Sequence, residues 1–349
     1  MPPSHSLGVR RVSRSSVVNL LKYVVAVALL GFVIGNNWTR LKEQFSQPPD
    51  AVLLALVVLA FAGITGVQYV RWYLLVRAVG LPFTLRDAVR LGLVGTFYNA
   101  FLPSSIGGDL VKAYFLASDH PERKPTAVAT VVFDRLVGLF GLLLLAGLAG
   151  GGFWLAGDPQ LTGRPALQRM VLLCGGLAAG GMVGFVALGL IPGKLADRLG
   201  AGLGRVPKLG TTLAEVWEAV RLYRGRPGTA LAVVGLSGVA HVGMVALFYL
   251  CVRVFPPADR NLLAGVAEHC VIGPIGFIAQ AGIPLPGGVG GGEAVFGWLY
   301  TLVRGDEAKS VGVGGRFTLR IVEWGLGLVG YVVFLRMKRE LPAADPAAT

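Results

Sequence analysis

The chain has 349 residues, 54% of them hydrophobic and only 15% charged, with a mean hydropathy of +0.66 and a formal net charge of +13. Soluble domains carry about 25% charged residues, so a water-soluble enzyme or binding module is excluded. An all-α, multi-pass membrane protein is expected, with no basic soluble domain to hold nucleic acid. The three cysteines, Cys174, Cys251 and Cys270, lie in or beside apolar runs at spacings that suit neither a metal nor a disulfide framework.

In chain order, apolar runs predict spans at about 17–35, 51–70, 126–148, 168–191, 229–251 and 311–335. The first follows basic residues without a small-residue cleavage site, and reads as a retained span. In the fourth, Gly176, Gly180 and Gly184 are four apart and predict a packing seam. His241, in the fifth near Gly238 and Gly243, reads as a packing residue. The connecting stretch 192–227 contains LAEVWEAVRLY, whose Leu213, Val216, Trp217, Val220 and Tyr223 fall on one helical face. It predicts an amphipathic helix lying on the cytoplasmic surface.

Two irregular apolar zones, 88–118 and 262–303, remain. If each enters and leaves on one side, the loops alternate so that most Lys and Arg share a face. That face holds Arg10, Arg11 and Arg14, then Arg71, Arg77, Arg86 and Arg90, the basic residues of 192–227, and Arg336 to Arg339. The bias predicts a cell or inner membrane location with both termini cytoplasmic, and contact with anionic headgroups there.

The first zone contains NAFLPSSIGGDLVKAYFL, Asn99 to Leu116. Leu91 to Leu102 reaches about 18 Å at 1.5 Å per residue, short of a hydrocarbon core of about 30 Å. Pro103 and Gly107-Gly108 then break the helix before a second half begins at Asp109. A re-entrant hairpin is expected, with Asn99, Ser104, Ser105, Gly107 and Gly108 offering polar groups to an anion at its tip. Asp109 alternatively caps its own helix.

The second zone repeats the device in IPLPGGVGGGEAVFGWLY, Ile283 to Tyr300, where Pro284, Pro286, Gly291 and Gly292 precede Glu293. Its first arm, 262–283, is long enough to cross alone. Asp109 is followed by Arg135 after 26 residues, and Glu293 by Arg320 after 27. Pro, Gly-Gly, acid and buried Arg thus occur twice. Repeats at about 51–155 and 229–335 are expected to be inverted, within one membrane domain over 1–338 followed by a polar tail, 339–349.

Charge at bilayer depth is a functional hypothesis by default. Arg135 and Arg320 are the candidates to bind a phosphate, through their forks of donors. Asp109, Asp134, Glu293, Glu323, Glu268 and His269 are the coupling or gating candidates, with Glu268-His269 as a proton relay. Arg316, Arg320 and Glu323 share a helix face. The alternative is a set of structural ion pairs, Arg135 with Glu293 or Asp109 and Arg320 with Asp134. GLGLVG, Gly325 to Gly330, fits a dinucleotide fingerprint but lies inside an apolar run without a preceding strand. No catalytic residue, cofactor or metal is expected.

On the Asn99–Leu116 stretch, DRLVG and PLPGGVGGGEAVF, the chain resembles the lysylphosphatidylglycerol synthase transmembrane-region family, the flippase-like domain of the multiple peptide resistance factor. The resemblance covers about 15–338. It implies movement of a membrane lipid, and a separate lipid-modifying enzyme as possible partner. The synthase domain of fused members is not expected here, because the chain ends in a short polar tail. Stand-alone relatives are associated with varied lipids, so the resemblance leaves the substrate open. It marks Pro103, Gly107, Gly108, Asp109, Asp134, Arg135, Pro286, Gly291, Gly292, Glu293 and Arg320 as site positions. The function expected is transport of an anionic or phosphate-containing lipid. A membrane-embedded transferase on a lipid-linked substrate, or a small-solute carrier, is the alternative. The oligomeric state is open.

Overall fold

Caps and prolines set where the helices begin. The computed structural model describes residues 14–102, 107–207 and 210–340. Helices α1 (Arg14–Asn36), α2 (Trp38–Ser46), α3 (Ala51–Ala78), α4 (Leu85–Phe101) and α5 (Gly107–Asp119) come first. Then follow α6 (Lys124–Leu155), α7 (Pro165–Leu190), α8 (Gly193–Leu203), α9 (Gly210–Arg224) and α10 (Pro227–Val254). The last are α11 (Val266–Ala281), α12 (Gly291–Arg304) and α13 (Lys309–Glu340), and no strand occurs among the described residues. The Asp50 carboxylate accepts from Val52 and Leu53 N–H at 3.0 Å to start α3. Thr84 and Asp87 form a reciprocal cap on α4. Proline in the first turn opens α6, α7 and α10, where its missing N–H is harmless.

Six of the described helices are long and apolar enough to cross a membrane: α1, α3, α6, α7, α10 and α13. They correspond to the six predicted runs, and the chain is a multi-pass membrane protein. Its outer surface agrees, because Val27, Leu172, Leu173 and Val183 point away from the bundle. Hydrocarbon solvates such side chains without penalty.

The two irregular zones form helical pairs. At 17 and 16 residues, α4 and α11 reach about 26 and 24 Å, short of the core thickness. Regular helix in the second zone covers only Val266–Ala281 of the expected 262–283 arm, bounded by Gly265 and Gly282. Partners α5 and α12 are shorter still, 13 and 14 residues. Each pair is antiparallel and close. A Cβ at Gly108 would lie 1.9 Å from the Gly95 carbonyl oxygen, and one at Gly276 would lie 2.5 Å from the Phe296 ring.

The halves of the chain interlock. Helix α3 packs on α10, α4 packs on α13, and α11 packs on α6. One buried cluster joins α10, α11, α12 and α13 around Phe248, Phe296 and Tyr300. A second joins α3, α6 and α9 around Trp72, Phe133 and Tyr223.

Three expectations change here. Gly176, Gly180 and Gly184 form no seam among the described residues, where a Cβ at each would meet nothing within 4 Å; the close approach is Gly147 to Gly175. Helix α9 turns Ala219 and Tyr223 into the bundle, because the phenol finds a partner there. Tyr223 Oη donates to the Leu75 carbonyl at 2.9 Å, and its ring stacks on Phe133 at 4.2 Å. Arg71, counted above among loop cations, belongs to α3, which continues to Ala78, and is buried. Cys174 and Cys251 are buried and unbonded.

Candidate functional site

Asp109 opens the site, on the first turn of α5. Its carboxylate pairs with Lys112 Nζ at 2.8 Å and with Arg135 Nε from α6. Asp109 therefore neutralises side chains, and the adjacent backbone donor goes elsewhere: Gly108 N–H donates to Asn99 Oδ1 at 2.8 Å. That bond ties the end of α4 to the start of α5. Lys112 also stands 5.0 Å from the Trp72 ring centre, over its face.

Asp134 faces a different helix, as its 100° offset from Arg135 requires. It accepts from Arg71 Nε at 2.8 Å. The same guanidinium donates to Ser237 Oγ of α10 at 3.0 Å. Arg71, absent from the sequence-derived candidates, thus binds α3, α6 and α10 together. The signal was present in WYLLV just beyond it, since apolar sequence resumes and holds the Arg inside the helix.

These groups surround a cavity of about 510 Å³. Its wall includes Arg71, Trp72, Asn99, Asp109, Lys112, Asp134 and Arg135, with His241 of α10 and Ile278 and Ala281 of α11. Leu136, Leu139 and Leu142 form an apolar strip along α6, and Leu139 is exposed. The lining carries three cations and two carboxylates, hence one positive charge more than it neutralises. The Arg135 side chain is 35% exposed, against 1% for Arg320.

The second break is closed by its own Arg. Glu293 pairs with Arg320 through both carboxylate oxygens and also accepts from Gly290 N–H at 2.8 Å. Arg320 Nη1 donates to the Gly287 carbonyl at 2.8 Å, and Nη2 to that of Gly288 at 3.2 Å. Both glycines have positive φ, 55° and 64°, which side-chain-bearing residues rarely adopt. The turn rests on α4: a Cβ at Gly287 would lie 3.0 Å from the Ala100 carbonyl oxygen and 3.5 Å from that of Asn99. The two chain breaks therefore touch. Gln280 of α11 lies against Gly292, and Ile283 against Gly291.

Arg316 and Glu323 pair along α13 at 2.8 Å, and Arg316 Nε donates to Gln280 Oε1 at 2.6 Å. Glu268 is buried between Arg164 and Arg304, and accepts from Gly265 N–H at 2.7 Å. His269 bridges the Gly265 carbonyl, at 2.7 Å, and Tyr300 Oη, at 3.0 Å.

Of the two partners expected for Arg135, Asp109 is the one observed. The expected pair of Arg320 with Asp134 is corrected: Arg320 binds Glu293, because each acid and its Arg lie in the same half. Glu268, His269, Glu293, Arg320 and Glu323 stand away from the cavity wall. Pro103, Ser104 and Ser105 lie outside the described residues. His241, read as packing, lines the cavity with both ring nitrogens buried.

The family model described as the lysylphosphatidylglycerol synthase TM region matches residues 19–329. A UPF0104 membrane protein of Methanothermobacter thermautotrophicus is 32% identical over 124 residues, covering 35% of this chain and 36% of that protein. Another UPF0104 membrane protein, of Methanocaldococcus jannaschii, is 23% identical over 128 residues, covering 36% and 37%. The match spans little more than a third of either relative. No solved structure matches. The family match covers most of the chain, which belongs to the lysylphosphatidylglycerol synthase transmembrane-region family.

Proposed function

We propose that this member of the family carries an anionic, phosphate-bearing lipid across the membrane as a flippase-like transporter, without catalysing a reaction. The observation that carries the reading is the charge of the cavity. Arg71, Lys112 and Arg135 face Asp109 and Asp134, leaving one positive charge in excess. Two of these cations sit on spanning helices, where unneutralised charge is expensive. An anionic headgroup balances it. Arg135 is the principal contact, because its side chain is 35% exposed and its planar fork suits phosphate. The Leu136, Leu139 and Leu142 strip suits an acyl chain beside the headgroup.

The arrangement of the halves supports a transporter frame. Each half supplies a long helix, a short antiparallel pair and another long helix, and the halves exchange packing partners. In this reading the short pairs are re-entrant hairpins of an inverted repeat, and their contact at Gly287 and Ala100 lies near the midplane. The bias of basic residues in the loops supports a cytoplasmic location for both termini. The family's description as part of a synthase points to a separate lipid-modifying enzyme as partner.

Proteoliposomes test the reading. Fluorescent phosphatidylglycerol is expected to change leaflets faster than fluorescent phosphatidylcholine, and Arg135→Gln to slow it about tenfold, as loss of a charge-assisted contact implies. Equal rates with wild type, Arg135→Gln and protein-free vesicles would overturn it.

A further inference from the structure

We propose that α8 is a membrane-docking helix, which lays an exposed leucine row bordered by basic residues on an anionic lipid surface. The surface is the headgroup layer of the chain's own bilayer, on the side where α7 ends. None of the α8 residues lines the cavity, so the docking face is separate from the lipid-carrier site.

One face of α8 is held by the protein. Ala196 is fully buried, and its carbonyl accepts from Trp217 Nε1 of α9 at 3.1 Å. Gly200 lets the indole come close, since a Cβ there would lie 2.8 Å from Trp217 Cδ1. Asp197 pairs with Arg221 at 2.7 Å. Helix α9 is fixed in turn by Tyr223, so the orientation of α8 is set by the bundle.

Another face is turned outward. Leu195 and Leu199, four apart on one side of the helix, are 47% and 41% exposed. Lys194 and Arg198 precede them by one position each and form a parallel basic row. Arg205 and Val206 repeat the basic–apolar step just past the helix end, and both are exposed. Among the described residues, Lys194, Arg198 and Arg205 have no ion-pair or hydrogen-bond partner. The acid within α8, Asp197, is taken by Arg221.

The position of α8 fits the same surface. Only Ile191 and Pro192 separate it from the spanning helix α7. Arg224 closes the end of α7 by donating to the Leu188 and Ile191 carbonyls. Helix α8 therefore starts at headgroup level, where leucines reach the acyl boundary and Lys and Arg reach phosphates. Its unpaired charge is of one sign, which an anionic layer balances and a zwitterionic one does not.

Hydrogen exchange read by mass spectrometry tests this on the full-length protein, one chain per nanodisc. The discs hold phosphatidylcholine alone, or phosphatidylcholine and phosphatidylglycerol in equal parts. Amides of 195–203 are expected to exchange about tenfold more slowly on the mixed discs. The gain should vanish in high salt and in Lys194→Gln/Arg198→Gln/Arg205→Gln. Leu195→Ser/Leu199→Ser should speed exchange on both discs by removing the apolar half of the contact. Unchanged exchange in α9 shows that the variants fold. Equal exchange of 195–203 on the two discs overturns the proposal and leaves the carrier reading standing. A slowing that survives both high salt and the triple variant overturns it as well. Protection that requires a second chain or an added protein assigns the face to a protein partner instead. Should the variants fail to fold, the wild-type comparison of the two discs at low and high salt still decides.

Discussion

Replacing Arg320 by Met measures whether the second break is a closed structural knot. The guanidinium is 1% exposed and Glu293 is fully buried beside it. Arg320→Met leaves that carboxylate without its partner, which costs about 3–5 kcal/mol for a buried pair. The carbonyls of Gly287 and Gly288 also lose their donors, at about 1 kcal/mol each. Because these losses share one site they do not add in full, and a total of about 4–6 kcal/mol is expected. The double variant Arg320→Met/Glu293→Gln removes the stranded charge and keeps an oxygen for Gly290 N–H. It is expected to recover about 2–3 kcal/mol, leaving the carbonyls as the residual cost. Reversible unfolding in mixed micelles, followed by tryptophan fluorescence, gives both values. A single variant within about 1 kcal/mol of wild type, or a double variant no more stable than the single, would refute the closed knot.

Other substitutions probe the rest of the frame. Gly108→Ala drives a methyl into the Gly95 carbonyl at 1.9 Å and should destabilise by about 3 kcal/mol or more in the same assay, since two backbones must part. Tyr223→Phe removes a buried donor from the Leu75 carbonyl and should cost about 1 kcal/mol, whereas an equal Tm would contradict the docking of α9 through its phenol. Changing the cavity charge should order the affinity for phosphatidylglycerol as Asp109→Asn above Asp109→Asn/Arg135→Gln, and that above Arg135→Gln. Isothermal titration reads the series, and affinities independent of charge would contradict it.

The spans were legible because apolar runs of bilayer length have few other uses. The breaks after α4 and before α12 were legible because proline and glycine pairs interrupt such runs, and each half showed an acid followed by an Arg at similar spacing. Which acid met which Arg was not legible, since helix packing, not sequence distance, decides it. Arg71 was missed because the span was ended at its first charge, although Trp72 to Val76 continue the apolar run. Helix α9 carries an amphipathic pattern that a lipid surface and a protein groove satisfy equally, and only Leu75 and Phe133 select the groove. His241 gave no signal beyond a polar residue between glycines; its place on the cavity wall depends on Gly141 of another helix.

Native mass spectrometry of protein extracted with its membrane lipids tests the central claim most directly. Wild type is expected to retain about one anionic phospholipid per chain, well above its share in the bulk extract, and Arg135→Gln to lose it. Retained lipid that mirrors the bulk composition in both proteins would contradict a cavity that selects a negatively charged headgroup.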